Sequence, residues 1–111
     1  MMDNPKISII IPVLNGIATI ENCIKAIQSQ NIYEQCEIIV IDSGSTDGSI
    51  EVLKLFGIEP ISILKETFNH GATRNLGVTH AKGEFIVMTV QDAVAADNHW
   101  LENMLTILIC Q

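Results

Sequence analysis

The sequence predicts an α/β domain with a mostly parallel sheet and helices on both faces, and three observations carry that expectation. Apolar runs of strand length show no polar alternation, as in strands covered on both sides. Segments with apolar residues at helical spacing lie between those runs, and short turns rich in Gly, Asn, Ser and Asp join the two kinds of segment. Strands alternating with helices through short loops imply a parallel sheet with right-handed crossovers.

Residues 6–13 read as the first strand and Leu14-Asn15-Gly16 as a turn. Residues 18–28 read as a helix whose apolar face is Ile20, Cys23, Ile24 and Ile27. A second unit repeats the first. Its strand, 37–41, stops at the acidic, hydroxyl-rich turn Asp42-Ser43-Gly44-Ser45-Thr46-Asp47-Gly48, and a short helix over 49–56 carries Ile50, Leu53 and Leu55 up to Gly57. Residues 58–64 contain Pro60 near their start, which places a third strand at or near an edge. A polar loop over 65–71, a helix over 72–80, a break at Gly83 and a fourth strand over 84–90 follow. After the turn Gln91-Asp92, Asp97 is placed to cap a last helix with Trp100, Leu101, Met104, Leu105 and Leu108 along one side, the pattern of a core helix. Neither a low-complexity linker nor an internal domain boundary interrupts the pattern.

A chain of 111 residues makes one small domain, long enough to bury a core but short for a complete α/β enzyme. A net charge of -7 with 48% hydrophobic residues describes an acidic, well-filled domain rather than a disordered tail. That acidity, with no basic stripe, argues against nucleic acid as a partner. Cys23, Cys36 and Cys110 lack C-x-x-C spacing and read as reduced core thiols. The apolar run at residues 7–14 is too short for a membrane span and is interrupted by Pro12, with no small-residue cleavage site after it. The expectation is a cytoplasmic domain, at a membrane's inner face only through other parts of a longer chain.

Pro12, Asn15, Asp42, Ser43 and Asp92 all fall at or just after strand carboxyl ends, where open parallel sheets bind ligands. Two carboxylates, hydroxyls and backbone amides suit a nucleotide, with carboxylates accepting from base or ribose and a divalent cation bridging carboxylate to phosphates. The alternative is an ordinary strand-to-helix turn with Asp47 as helix cap. In Asn69-His70-Gly71-Ala72-Thr73-Arg74-Asn75, the donors His70 and Arg74 stand near a helix start, and Gly71 permits close backbone approach, an arrangement that suits a pyrophosphate. Capping by Asn69 or Thr73, with Arg74 solvated, is the alternative there. His80 and His99 have no such company and give no zinc site.

The motifs Ile9-Ile10-Ile11-Pro12-Val13-Leu14-Asn15, Ile39 to Gly48 and Asn69 to Gly77 resemble, in order and spacing, the amino-terminal half of a family 2 glycosyltransferase, and the resemblance runs from Lys6 to Trp100. It implies a Rossmann-like GT-A nucleotide-diphospho-sugar transferase fold with inverting chemistry. Under it Pro12 and Asn15 line the nucleotide pocket, Asp42 bonds the base, Ser43 and Asp47 support the turn, and Arg74 lies near the diphosphate, beside His70 and Gly71. The 70–75 segment, followed by Gln91-Asp92-Ala93, also resembles the rhamnosyltransferase branch, which builds bacterial surface polysaccharide from dTDP-rhamnose. The implied partners are a dTDP-, UDP- or GDP-linked sugar and a saccharide or lipid-linked acceptor.

The sequence departs from that family in two places. Most members carry Asp-x-Asp after the fourth strand, whereas Val90-Gln91-Asp92 leaves Asp92 as the only carboxylate for Mg²⁺ or Mn²⁺, metals that keep several waters in any case. The general base of inverting transfer comes from the family's later half, and Glu102, a helix-surface residue by its position, is no substitute, so the catalytic residue is unknown. The expectation is that residues 1–111 form the donor-binding part, with the acceptor-binding half absent and the part inactive alone. The alternative is a degenerate module that binds nucleotide sugar without turnover. Trp100, Leu105, Ile107 and Ile109 are candidates for an apolar patch that would favour a homodimer.

Overall fold

The computed structural model describes residues 5–67 and 69–89. In chain order it comprises β1 (Ile7–Val13), α1 (Ile20–Gln28), β2 (Cys36–Asp42), α2 (Ser49–Leu55), β3 (Ile61–Ser62), α3 (His70–His80) and β4 (Phe85–Met88), with single 3₁₀ turns at Tyr33–Gln35 and Lys65–Thr67. The strands form one sheet in the order β3-β2-β1-β4, every pair parallel, so β1 and β2 are interior.

Why β1 shows no polar alternation is now explicit. Ile7, Ile9, Ile11 and Val13 point into a cluster with Ile20, Cys23, Ile24 and Ile27 of α1 and Leu53 of α2. Ile10 points the other way, with Ile39 and Ile41 of β2, into a cluster completed by Leu76 of α3. Successive strand residues alternate faces, so a strand buried on both is apolar at nearly every position, and the one polar residue of β1, buried Ser8, has its hydroxyl bonded to Glu37. Each fully buried Ile contributes about 1.5–3 kcal/mol.

Chain direction decides which helix takes which face. The path steps from β1 to β2 to β3 in one direction, and right-handed crossovers put α1 and α2 on one side, where they touch. The return from β3 to β4 runs the opposite way, so α3 lies on the other side against β1 and β2. Gly77 permits that close docking, because a Cβ there would stand 2.7 Å from Ile10 Cγ2 and 2.8 Å from Ile10 Cδ1.

The far, amino-terminal edge of the sheet is closed by a polar network. Ser8 Oγ donates to Glu37 Oε2 at 2.5 Å, Lys82 N donates to the same oxygen at 2.6 Å, and Gly83 N donates to Ser8 Oγ at 2.9 Å. Gly83 lies directly on the backbone of β1, where a Cβ would be 2.7 Å from Ser8 N.

Several boundaries differ from the sequence reading for local reasons. The third strand is two residues long, and the fourth spans four. The third helix begins at His70, ahead of the expected Ala72, because the Asn69 side chain accepts from Ala72 N at 3.0 Å and caps it. Gly48, with φ 99°, holds the cap position of α2 in place of Asp47. Leu55 is 86% exposed, since two residues along a helix turn it some 200° away from buried Leu53. Val90, Gln91, Asp92 and the expected last helix, with Asp97, Trp100, Glu102, Leu105, Ile107 and Ile109, lie outside the described residues, as does Cys110. Among the described residues Cys23 and Cys36 form no disulfide, and burial pushes the Cys36 thiol up to about 11. Among the described residues no helix is long and apolar enough to cross a membrane.

Candidate functional site

At the carboxyl edge, the turns after β1 and β2 are bonded to one another. The register pairs Val13 with Asp42, so the two strands end level, and Ser43 N donates to Val13 O at 3.1 Å. Beyond that point the side chains do the joining. Asn15, in the left-handed region at φ 50°, donates its N–H to Ser45 Oγ at 2.9 Å and accepts from Thr46 N at its Oδ1 at 2.8 Å. Asn is among the few residues that tolerate this conformation, because its short polar side chain can bond locally. Gly16 N donates to Ser49 Oγ at 2.9 Å, and Ile17 N donates to Asp47 Oδ2 at 3.0 Å.

Asp42 is 1% exposed at the end of β2. Its Oδ2 accepts from Gly44 N at 3.1 Å and Ser45 N at 2.9 Å, while Oδ1 accepts from the Ser45 hydroxyl. A carboxylate offers about four acceptor positions, so three bonds to its own turn leave one for an outside donor. Asp47 accepts from Ser49 N at 3.0 Å and Ser49 Oγ at 2.6 Å. The Ser49 hydroxyl holds the Asp47 carboxyl below its ordinary value against the opposing effect of desolvation, with the Ile17 and Ser49 amides adding to the lowering.

The third contribution comes from the start of α3. A helix connecting parallel strands runs back from their carboxyl edge, which places Asn69, Gly71 and Arg74 beside the two turns and Lys82 and Gly83 at the opposite edge. The loop before it is tied to the same corner, since Ile63 N donates to Asp42 O at 2.8 Å. Arg74 is exposed and Pro12 and Gly71 are half-buried; the side chain of His70 lies outside the description, as do Gln91 and Asp92. Sequence reasoning therefore locates Pro12, Asn15, Asp42, Ser43, Asp47, Gly71 and Arg74 along one edge. It missed Ser45 and Ser49, whose hydroxyls bridge the turns; their only signal was the hydroxyl content of the turn itself. Among the described residues no three His, Cys, Asp or Glu side chains are grouped to hold a metal ion.

A parallel sheet of order 3-2-1-4 with its polar turns gathered at the carboxyl edge defines the Rossmann-like α/β class. Within that class the chain belongs to glycosyl transferase family 2, whose family profile matches residues 8–109. It is 39% identical over 101 residues to the O-antigen chain rhamnosyltransferase RfbN of Salmonella typhimurium, covering 89% of this chain and 32% of that protein. Identity to the O-antigen chain rhamnosyltransferase WbaN of Salmonella anatum is 32% over 105 residues, covering 93% and 33%. Among solved structures, the mannosyltransferase PcManGT of Pyrobaculum calidifontis, in complex with GDP-Man and Mn²⁺, superposes with a TM-score of 0.82 at 26% identity, covering 95% of this chain and 32% of that one. The fold is accordingly GT-A, and the chain spans about a third of the length of these relatives.

Proposed function

We propose that this chain is the donor-binding part of an inverting glycosyltransferase, holding a nucleotide-diphosphate sugar across the carboxyl edge of its sheet for transfer to a saccharide or lipid-linked acceptor in bacterial surface polysaccharide synthesis. One observation carries the reading: two glycine- and hydroxyl-bearing turns are clasped together at the sheet edge where the helix bearing Arg74 begins. The likeness to two O-antigen rhamnosyltransferases supports rhamnose as the sugar.

In this reading the one open acceptor position of Asp42 takes a base N–H, and Pro12 and Asn15 border the nucleoside. The amino end of α3, with Gly71 and Arg74, faces the diphosphate, where unpaired helix amides and a guanidinium both favour negative charge. Asp42 is bonded within its own turn and Asp47 to Ser49 and, across the gap, to Ile17 N, and among the described residues no three His, Cys, Asp or Glu side chains are grouped to hold a cation. Mg²⁺ or Mn²⁺ falls to Asp92 with the diphosphate oxygens, a reading supported by the Mn²⁺ beside GDP-Man in the Pyrobaculum enzyme. Such an ion would neutralise charge on the departing diphosphate.

The test is calorimetric titration with dTDP, UDP and GDP, each with and without Mn²⁺. The expected result is selective binding that strengthens with metal. Asp42→Ala should weaken it in both conditions and Asp92→Ala only in the presence of metal. Equal losses in both variants would undo that division of roles, and no binding to any diphosphate would overturn the reading.

A further inference from the structure

Two dipeptides of one reactive kind meet where the turns are clasped, Asn15-Gly16 after β1 and Asp47-Gly48 after β2. Ile17 N donates to Asp47 Oδ2 at 3.0 Å, which makes them neighbours. In each, the glycine nitrogen can attack the side-chain carbonyl carbon of the residue before it and close a succinimide ring, because glycine has no Cβ to obstruct the approach.

The two are not equally reactive. The Asp47 carboxyl is held below its ordinary value, chiefly by the Ser49 hydroxyl, and its oxygens accept from Ile17 N, Ser49 N and Ser49 Oγ. An ionised carboxylate resists attack, because the incoming electron pair meets a group that already bears negative charge. Asn15 is exposed and carries a neutral amide, and its Oδ1 accepts from Thr46 N at 2.8 Å, a bond that draws electrons from the carbonyl carbon. The restraint lies on the attacking atom. Gly16 is buried, and its N–H is held by Ser49 Oγ at 2.9 Å, so attack requires that N–H to leave Ser49 and lose its proton.

We propose that Asn15-Gly16 is a self-modification site, at which Asn15 is converted through a succinimide to aspartate and isoaspartate, and that the bond from Gly16 N to Ser49 sets the rate in the folded chain. Gly16 N gives its proton to hydroxide and forms a bond to Asn15 Cγ; the Cγ–Nδ2 bond breaks and ammonia leaves. Water then opens the ring at one carbonyl or the other, which gives aspartate or isoaspartate at position 15. Isoaspartate carries an extra methylene in the main chain, so the turn no longer matches the spacing of Ser45, Thr46 and Ser49, and a carboxylate stands where a neutral amide stood. The reaction is thus an irreversible ageing of the carboxyl edge, and it does not depend on what that edge binds.

Peptide mapping that resolves isoaspartate from aspartate, on the folded chain and on the chain in urea after incubation at mildly alkaline pH, tests the proposal. Modification at position 15 should be fast in urea and slower in the folded chain. Ser49→Ala removes the acceptor of Gly16 N and should speed the folded-state reaction about two- to tenfold, the value of one hydrogen bond, with the rate in urea unchanged. Glu37→Ala loosens the opposite edge of the sheet and should leave the folded-state rate as it is in wild type. Equal acceleration by Glu37→Ala and Ser49→Ala would trace the reaction to global unfolding and overturn the role of the Ser49 bond. Equal rates for folded and unfolded wild type would overturn it as well, and that comparison decides the point even if Ser49→Ala fails to fold. Modification at Asp47 ahead of Asn15, or none at position 15 in urea, would overturn the choice of site.

Discussion

The two edges of the sheet are both stitched by side-chain hydrogen bonds, and they are stitched differently. At the amino edge Ser8, Glu37, Lys82 and Gly83 form a compact network in which one carboxylate oxygen takes two donors and one hydroxyl both donates and accepts. At the carboxyl edge the bonds run between two turns some 30 residues apart in sequence, through Asn15 and Ser45, Asn15 and Thr46, and Ile17 and Asp47. Around them stand groups still open, namely exposed Arg74 and the amino end of α3. The first edge holds strands in place; the second holds turns in place while leaving polar groups to meet a ligand. A closed network is the arrangement for stability, and a partly open one for binding.

The sharpest break of that contrast is Gly83→Ala. Its Cβ would meet β1 backbone that cannot move aside, so the variant should lose about 3 kcal/mol, read as a lower denaturant midpoint with unchanged slope. Next comes Glu37→Ala, which leaves fully buried Ser8 without its acceptor and Lys82 N without its own. A loss of about 1–3 kcal/mol in chemical unfolding is expected, with nucleoside diphosphate affinity unchanged in calorimetry. A fall in affinity as large as that from a carboxyl-edge variant would erase the distinction between the edges.

On the other edge, Asn15→Ala should cost about 1–2 kcal/mol, because alanine has no local bond to hold it at positive φ. Asn15→Gly should recover much of that stability but not the bond to Thr46 N, so both variants should bind diphosphate more weakly than wild type. The smallest effect is the pH dependence of the Asp47 bonds. Its folded-state value lies below the ordinary 3.8, so its contribution is present above that pH and is lost as pH falls through the lowered value. Asp47→Asn should therefore show a shallower decline of stability than wild type in melts taken between pH 5 and 2, with the two curves parallel above pH 5.

Much of this architecture was legible in the sequence. The Ile-rich run of β1 announced a strand covered on both faces, and Ile20, Cys23, Ile24 and Ile27 announced the buried stripe of α1. Pro60 marked β3 as an edge strand, and the motifs around Asn15, Asp42 and Arg74 carried the family resemblance. Where the reading failed, the cause was a competing partner. Asn69, one of the two caps weighed as the alternative, does cap α3 and extends it backwards, while the alternative of Asp47 as cap of α2 gives way to left-handed Gly48, and the Asp47 carboxylate bonds Ile17 across the gap as well as Ser49. Leu55 looked like core because it is leucine, and rotation about the helix put it in water.

Periodicity and turn chemistry act over a few residues, and so the sequence by itself determined the elements, their order, the buried character of the strands and the family. Partnerships across about 30 residues depend on register, crossover hand and the closeness of helix to sheet. Only the tertiary structure decided that α3 takes the face opposite α1 and α2, that Gly77 brings it down onto Ile10, and that Ser45 and Ser49 bridge the turns. It also decided that, among the described residues, Thr73 is the one with a buried hydroxyl that has no partner. Each of these follows from which atoms become neighbours once the chain has closed on itself, a fact that no local window of residues contains.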